Sequence, residues 1–354
     1  MSRFFSKKYD KLVAYVPGEQ PRDRKYIKLN TNENPYPPSP LAQRLAREVV
    51  GDLYLYSDPT CKALTEMAVA KLGVKAEEIM FNNSSDESLN FAFMAFCDKE
   101  HPAVFADITY GFNPVFADLN NVPYRQIPLK EDFSIDVNDY FNAGGTVFIA
   151  NPNAITGLNL SVAEIEKVVA GNPNNVVVID EAYVDFGGET VIPLIRKYNN
   201  LVVIRTFSKS RSLAGARLGC MIACPELIQD LQTLRYSTNP YNVNTMTMAA
   251  GVGALADVEY FQECCEKIKS SREYFIGALR KVGYKVVDSC ANFVLVGSHK
   301  MDGEMLYTKL KENGVVVRFW NTKRLAPYVR ISIGTREDME TCAKIMTDIQ
   351  EGKL

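Results

Sequence analysis

Histidine is nearly missing from this chain: His101 and His299 are the only two among 354 residues. The eight cysteines are scattered and contain no Cys-x-x-Cys pair. Zinc sites draw on clustered Cys and His ligands, so no zinc or other metal centre is expected. Long blocks of like charge are missing too. With 40 basic and 42 acidic residues and a net charge of -2, the chain offers neither a nucleic-acid arm nor a membrane-binding patch. Eighteen apolar residues never run together, and the segment around Phe4, Phe5, Lys7 and Lys8 has no apolar leader core. The expectation is a soluble protein of the reducing cytoplasm. No Gly-x-Gly-x-x-Gly follows the first strand, which leaves a dinucleotide fold without its fingerprint. No solenoid repeat or low-complexity tract appears either. What is left is a chain long enough for two cores, with a small molecule or another protein as partner.

From residue 41 the sequence alternates. Helical stretches (Leu41 to Val50, Pro59 to Leu72, Glu87 to Cys97) are interleaved with short apolar runs at Glu78 to Phe81, Ala103 to Ala106, Thr146 to Ala150, Asn175 to Asp180 and Leu201 to Ile204. Runs that are apolar on both alternating faces suit strands covered on both sides. That predicts an α/β fold with a mostly parallel sheet in a large domain over 41–245. Beyond about residue 245 the pattern changes to long helices (Val243 to Leu255, Tyr260 to Val282) and short strands (Tyr284 to Val287, Asn292 to Val296, Val315 to Phe319, Val329 to Ile333). This predicts a smaller α+β domain over 246–354. Residues 1–40 are rich in Pro, Asn and charge and end in Leu29 to Pro40, a run that cannot continue a helix or a central strand. Because they mix apolar anchors with hydrogen-bonding groups, they are expected to form an ordered arm.

In an open parallel sheet, ligands bind beyond the carboxyl ends of the strands. Lys209 stands in such a place, in Thr206-Phe207-Ser208-Lys209-Ser210-Arg211 after the run Leu201 to Ile204. A partly desolvated lysine there can act as an amine nucleophile, and Arg217 nearby can mark an anion. On this stretch alone a basic surface loop would read the same. Four other strand ends bear on the choice. Asn82 to Glu87 turns into a helix, whose free N–H groups attract an anion, although Ser85 or Asp86 as a simple N-cap explains the same letters. Tyr110, in Asp107 to Phe112, can stack on a planar ring or be half-buried packing. Ala150 to Gly157 is rich in amides, or is plain turn chemistry. Asp180 ends a run of Val and Ile, where a carboxylate is costly to bury without a cation, and Tyr183 follows it. Pyridoxal phosphate uses all of these: its aldehyde joins a lysine, its ring nitrogen needs a carboxylate, and it presents a phosphate and a phenolic oxygen.

These segments, with Tyr15-Val16-Pro17-Gly18, Leu29 to Pro35, Val316-Val317-Arg318 and Val329 to Thr335, resemble the fold-type I, pyridoxal-phosphate-dependent aminotransferases over essentially the whole chain. Within them the likeness is to the branch acting on histidinol phosphate. The resemblance implies that Lys209 joins the cofactor as a Schiff base and then shuttles the substrate proton. It implies that Asp180 pairs with the ring nitrogen and Tyr183 donates to the phenolic oxygen. Ser85, Asp86, Ser208 and Arg217 would hold the phosphate, with Tyr110 stacked on the ring. Tyr56 would reach the phosphate of the neighbouring subunit, which makes the active form a homodimer. Arg330 would grip the substrate anion, with Arg318 as a second contact or a structural ion pair, and Tyr15 and Asn32 beside them. The implied reaction is ping-pong exchange between histidinol phosphate and 2-oxoglutarate. Competing readings are an aromatic amino-acid aminotransferase, a threonine-phosphate decarboxylase-like enzyme, and a non-catalytic module that binds the cofactor.

Three departures from the family pattern stand out. Ala154-Ile155 replace Asn-Pro, removing an amide expected at the phenolic oxygen, so Asn153 is expected to take that contact. A cis bond before Ile155 would cost roughly 2.5–4 kcal/mol, so a trans bond or a reshaped loop is expected. Ser84 replaces a common glycine in the phosphate turn, and Leu55-Tyr56-Ser57-Asp58 stands for Arg-Tyr-Pro-Asp.

Overall fold

The structure, a computed structural model, describes residues 2–10 and 12–354. The first strand, β1 (Ile27–Lys28), lies in the N-terminal arm. The next seven are β2 (Ile79–Asn83), β3 (Ala103–Ala106), β4 (Tyr124–Ile127), β5 (Thr146–Ala150), β6 (Val177–Asp180), β7 (Leu201–Thr206) and β8 (Leu218–Ala223). They form one sheet in the order β2-β8-β7-β6-β5-β3-β4, in which β8 runs against both of its neighbours and the remaining pairings are parallel. Alternate residues feed two cores. Val147, Ile149, Val177, Ile179 and Val203 face a layer with Leu64, Ala68, Ile165 and Val168. Phe148, Val178, Val202 and Ile204 face another, with Phe93, Phe116 and Leu231. Burial on both faces accounts for the unbroken apolar runs.

The second unit is an antiparallel sheet of β9 (Lys285–Val286), β10 (Phe293–Gly297), β12 (Arg318–Phe319) and β13 (Tyr328–Ser332), in the order β12-β13-β10-β9. Helices Val258–Lys281, Gly303–Glu312 and Arg336–Gln350 bury Phe275, Leu306 and Met346 with it. The short β11 (Val315–Val316) leaves that sheet and pairs parallel with β1, tying the arm to this unit.

The structure moves some boundaries. Helix Thr245–Ala256 places Ala250 and Ala254 in the large core, and a Cβ on Gly251 would meet Leu218 and Leu64 side chains. Helix Thr245–Ala256 therefore packs with the large sheet, and Asp257 separates it from helix Val258–Lys281. Val315 to Phe319 is two strands, because β11 pairs with the arm and β12 with β13. Strand β4 escaped notice because three of its four residues are exposed at a sheet edge. Strand β8 escaped it because its apolar run begins directly behind Arg217. Among the described residues no helix is long and apolar enough to cross a membrane.

Candidate active site

Strand β2 ends at Asn83 opposite Leu218, β6 at Asp180 opposite Ile204, and β7 at Thr206 opposite Gly219. These registers bring the following turns to one edge of the sheet around a cavity of about 360 Å3. Ser85, Asp86, Tyr110, Asp180, Tyr183, Ser208, Lys209 and Arg217 line it, together with Thr31 and Glu33 from the arm. Lys209 Nζ donates to the carbonyl of Thr31 at 3.2 Å and lies 5.7 Å from the centre of the Tyr183 ring.

Asp180 is the least comfortable group in the cavity. Its Oδ1 accepts from the backbone N–H of Ala182 at 3.1 Å, and among the described residues no guanidinium or ammonium bonds it directly. Burial, reinforced by the nearby Asp86 and Glu181 charges, pushes its carboxyl up to about 7. Tyr183 accepts from Asn32 Nδ2 at 3.1 Å, and Asn32 is in turn held by Ser332 through its N–H and its Oδ1. Tyr110 donates to Asp86 Oδ1 at 2.6 Å, while burial, then the Asp86 charge, hold its hydroxyl well above the usual phenol range. Arg217, in the left-handed region at φ 57°, pairs with Asp86 Oδ2 at 2.6 Å.

The turn before helix Ser84–Phe96 is tight. Asn83 at the N-cap makes no side-chain cap, and the Asp86 N–H donates to the Ser84 hydroxyl at 3.2 Å, so the helix N-terminus opens at Ser85 beside Arg217. Ser84 takes φ 72°, a left-handed conformation that explains a preference for glycine there. A Cβ on Gly219 would lie 2.6 Å from Ser84 C and Ser85 N, so β8 approaches this turn more closely than a side chain permits.

Asn153 is hydrogen-bonded within its own turn. Its Nδ2 donates to the Ile108 carbonyl, and its Oδ1 accepts from the N–H groups of Ile155 and Thr156. Both ends of the amide help shape the turn, and Ala154 lines the cavity. Asn151-Pro152 is the cis bond of this turn, leaving Ala154-Ile155 trans. Asn34, which sequence reasoning passed over, donates from the arm to the carbonyls of Lys209 and Ser210 at 3.0 and 3.3 Å.

A second cavity of about 490 Å3 shares Thr31, Tyr110, Tyr183 and Lys209 with the first and continues to Tyr15, Asn32, Arg318, Trp320, Lys323, Arg324 and Arg330. Arg330 Nη1 donates to the Ala154 carbonyl at 2.7 Å and its guanidinium lies 5.0 Å from both Phe293 and Trp320. Its Nε is buried without a hydrogen-bond partner among the described residues. Arg318 donates to the Val16 carbonyl, and Tyr15 stacks on Phe112 at 4.1 Å. Tyr56 lies apart from both cavities, 84% exposed and stacked on Tyr241.

An amine, a buried carboxylate short of a cation, and a helix N-terminus beside a guanidinium together define a site for a phosphorylated cationic ring carrying a carbonyl. The chain belongs to the aminotransferase class I and II family, whose model matches residues 24–346, and its cofactor is pyridoxal phosphate. It is 45% identical over 341 residues to histidinol-phosphate aminotransferase of Clostridium botulinum (strain Kyoto / Type A2), covering 96% of each chain. The histidinol-phosphate aminotransferase of Clostridium acetobutylicum is 42% identical over 352 residues, or 99% of each. Histidinol-phosphate aminotransferase of Sinorhizobium meliloti, solved in complex with pyridoxal-5'-phosphate, shares the fold. Its TM-score is 0.90 at 22% identity, covering 100% of this chain and 99% of that one.

Proposed function

We propose that this aminotransferase moves an amino group between histidinol phosphate and 2-oxoglutarate, acting in histidine biosynthesis in the cytoplasm. The observation that carries the substrate is the cationic second chamber opening from Lys209, above all the unpartnered Nε of Arg330. Histidinol phosphate brings a phosphate and no carboxylate, whereas glutamate brings two carboxylates. One guanidinium fork can accept either anion.

The residues present fit the cofactor. Bound in the first cavity, it supplies an electrophilic carbon for the amino group and a protonated ring that draws the electron pair from the substrate α-carbon. Asp180 holds the proton on the ring nitrogen, which supplies the cation its buried carboxylate lacks. Tyr183 holds a hydroxyl toward the phenolic oxygen, steadied by Asn32. Ser208, Arg217 and the helix N-terminus at Ser85 and Asp86 bind the phosphate, and Tyr110 packs on the ring. Lys209 Nζ takes the proton from the α-carbon and returns it on the other side of the exchange.

A coupled assay with 2-oxoglutarate should find histidinol phosphate turned over with a higher kcat/KM than phenylalanine; the reverse order would make this an aromatic amino-acid aminotransferase. Arg330→Ala is expected to lower kcat/KM for both histidinol phosphate and glutamate by roughly 10- to 150-fold, the range for losing a charge-assisted hydrogen bond. A loss confined to one substrate would remove Arg330 from the shared anion site.

The active form is proposed to be a homodimer with Tyr56 reaching the partner's phosphate site. The exposure of Leu53, Tyr54, Leu55 and Tyr56 supports this reading, since neighbouring exposed apolar side chains favour a protein contact. Mixing Lys209→Ala chains with Tyr56→Ala chains should restore about a quarter of native activity, since half the dimers are mixed and each holds one intact site. No recovery on mixing would place Tyr56 outside the partner's site.

A further inference from the structure

Ser210 and Arg211 follow the reactive lysine and belong to neither cavity described above. The sequence suggests an exposed loop; the structure shows Ser210 2% exposed and Arg211 half-buried. At the end of β6, Asp180 faces the cofactor cavity and Glu181 the opposite side. Beyond β7, Lys209 faces the cavity and Ser210 the opposite side. The rear side chains meet in a closed ionic group. Arg205, the one charged residue in β7, bonds Glu181 Oε2 through Nη1 at 3.2 Å and Asp185 Oδ1 through Nη2 at 2.5 Å. The second Asp185 oxygen accepts from the Ser210 hydroxyl. Glu181 is itself fixed by the N–H of Val191 and the hydroxyl of Thr190. Burial would raise the Asp185 carboxyl, but Arg205 and Arg211 overcome it and hold the group below the usual range. The charged acceptor facing Ser210 is thus maintained.

We propose that Asp185, Arg205 and Ser210 are positioning residues for Lys209, forming a clamp behind the sheet that fixes the lysine's backbone while its side chain works in front. A lysine side chain has four flexible bonds, so the protein sets Nζ chiefly by where it holds the Cα. The clamp bonds Ser210 from behind, and Asn34 bonds the carbonyls of Lys209 and Ser210 from the arm. The turn is held on both sides, and displacement of a reacting group by about 1 Å costs on the order of 100-fold in rate. The inference rests on Lys209 being the reactive amine.

Ser210→Ala removes one hydroxyl and is the main test; Asp185→Asn removes the charge, and Ser210→Thr keeps the bond. In Ser210→Ala, kcat should fall by about 10-fold or more while KM for either substrate stays within about twofold. Amide exchange over residues 207–213 of the cofactor-free protein should speed up by about 10-fold or more, with β7 unchanged. Ser210→Thr should restore both readings. Native kcat, or native exchange over 207–213, in Ser210→Ala would overturn the clamp, even if the melting temperature dropped. The same holds if Asp185→Asn fails to fold, since Ser210→Ala alone decides. Borohydride reduction of the native holoenzyme provides the separate control. If it fixes cofactor anywhere but Lys209, the reading of the lysine has failed and not the clamp.

Discussion

Replacing Lys209 with alanine lowers kcat by at least ~10⁴-fold, because proton transfer by a positioned side chain and covalent catalysis are lost together. Among the described residues no other lysine lines the cofactor cavity. Lys28 is held by Glu33 at 2.5 Å outside it, and Lys323 lies in the adjoining substrate chamber. Among the described residues no second amine is therefore placed to take over. Arginine should not rescue the variant, since a guanidinium stays protonated and cannot accept the substrate proton. The phosphate contacts do not involve the ammonium, so the variant should still take up pyridoxal phosphate. Borohydride, however, should fix none of it to the chain. Single-turnover kinetics and mass analysis of the reduced peptide 201–217 provide the check. A variant that kept a tenth of native kcat, or that was still labelled, would move the reactive amine elsewhere.

The sheet could be read because its strands carry both cores. Thr146 to Ala150 and Val177 to Asp180 are buried at every position, so their apolar letters run unbroken. The same reasoning fails at β4, where Tyr124, Arg125 and Gln126 face solvent. It fails again at Val315 to Phe319, where the change of pairing partner leaves no mark on composition. The site was legible to the extent that strand ends gather at one edge. Lys209, Asp180, Tyr183, Tyr110, Ser85, Asp86, Ser208 and Arg217 lie at four such ends and do line one cavity. Asn153 shows where that rule stops. An amide in a turn can serve a ligand or its own loop, and sequence does not record its direction; here Ile108, Ile155 and Thr156 claim it. The rear clamp was hidden for a related reason. Glu181, Asp185, Arg205 and Ser210 meet only through the side of the sheet each one takes. The available signal was Arg205 itself, a charge inside an otherwise apolar strand.

Asp180→Asn should make the cofactor-free protein more stable at pH 8 while crippling the holoenzyme. With burial pushing its carboxyl up to about 7, against 3.8 for a free side chain, the folded chain holds a proton that the unfolded chain has already released between those values. The sign follows from linkage. The favourable contribution is complete below the unfolded value, is lost as pH rises through about 7, and stays lost above. A shift of this size corresponds to about 4 kcal/mol as an upper bound. Asparagine has no such titration, so the melting advantage of the variant over native apoprotein should grow from pH 5 to pH 8. Pyridoxal phosphate should reverse the order. Its protonated ring gives the native carboxylate the cation that the fold withholds, whereas a neutral amide gains far less, and kcat should fall by roughly 10²- to 10³-fold with the lost electrostatic support. Melting curves with and without cofactor across that pH range decide the matter. Equal stabilisation of both proteins by the cofactor, or a less stable apo variant at pH 8, would mean that Asp180 is satisfied by the protein itself. The opposite result would mark a residue whose cost to the empty fold is recovered only on binding, as expected where function and stability compete.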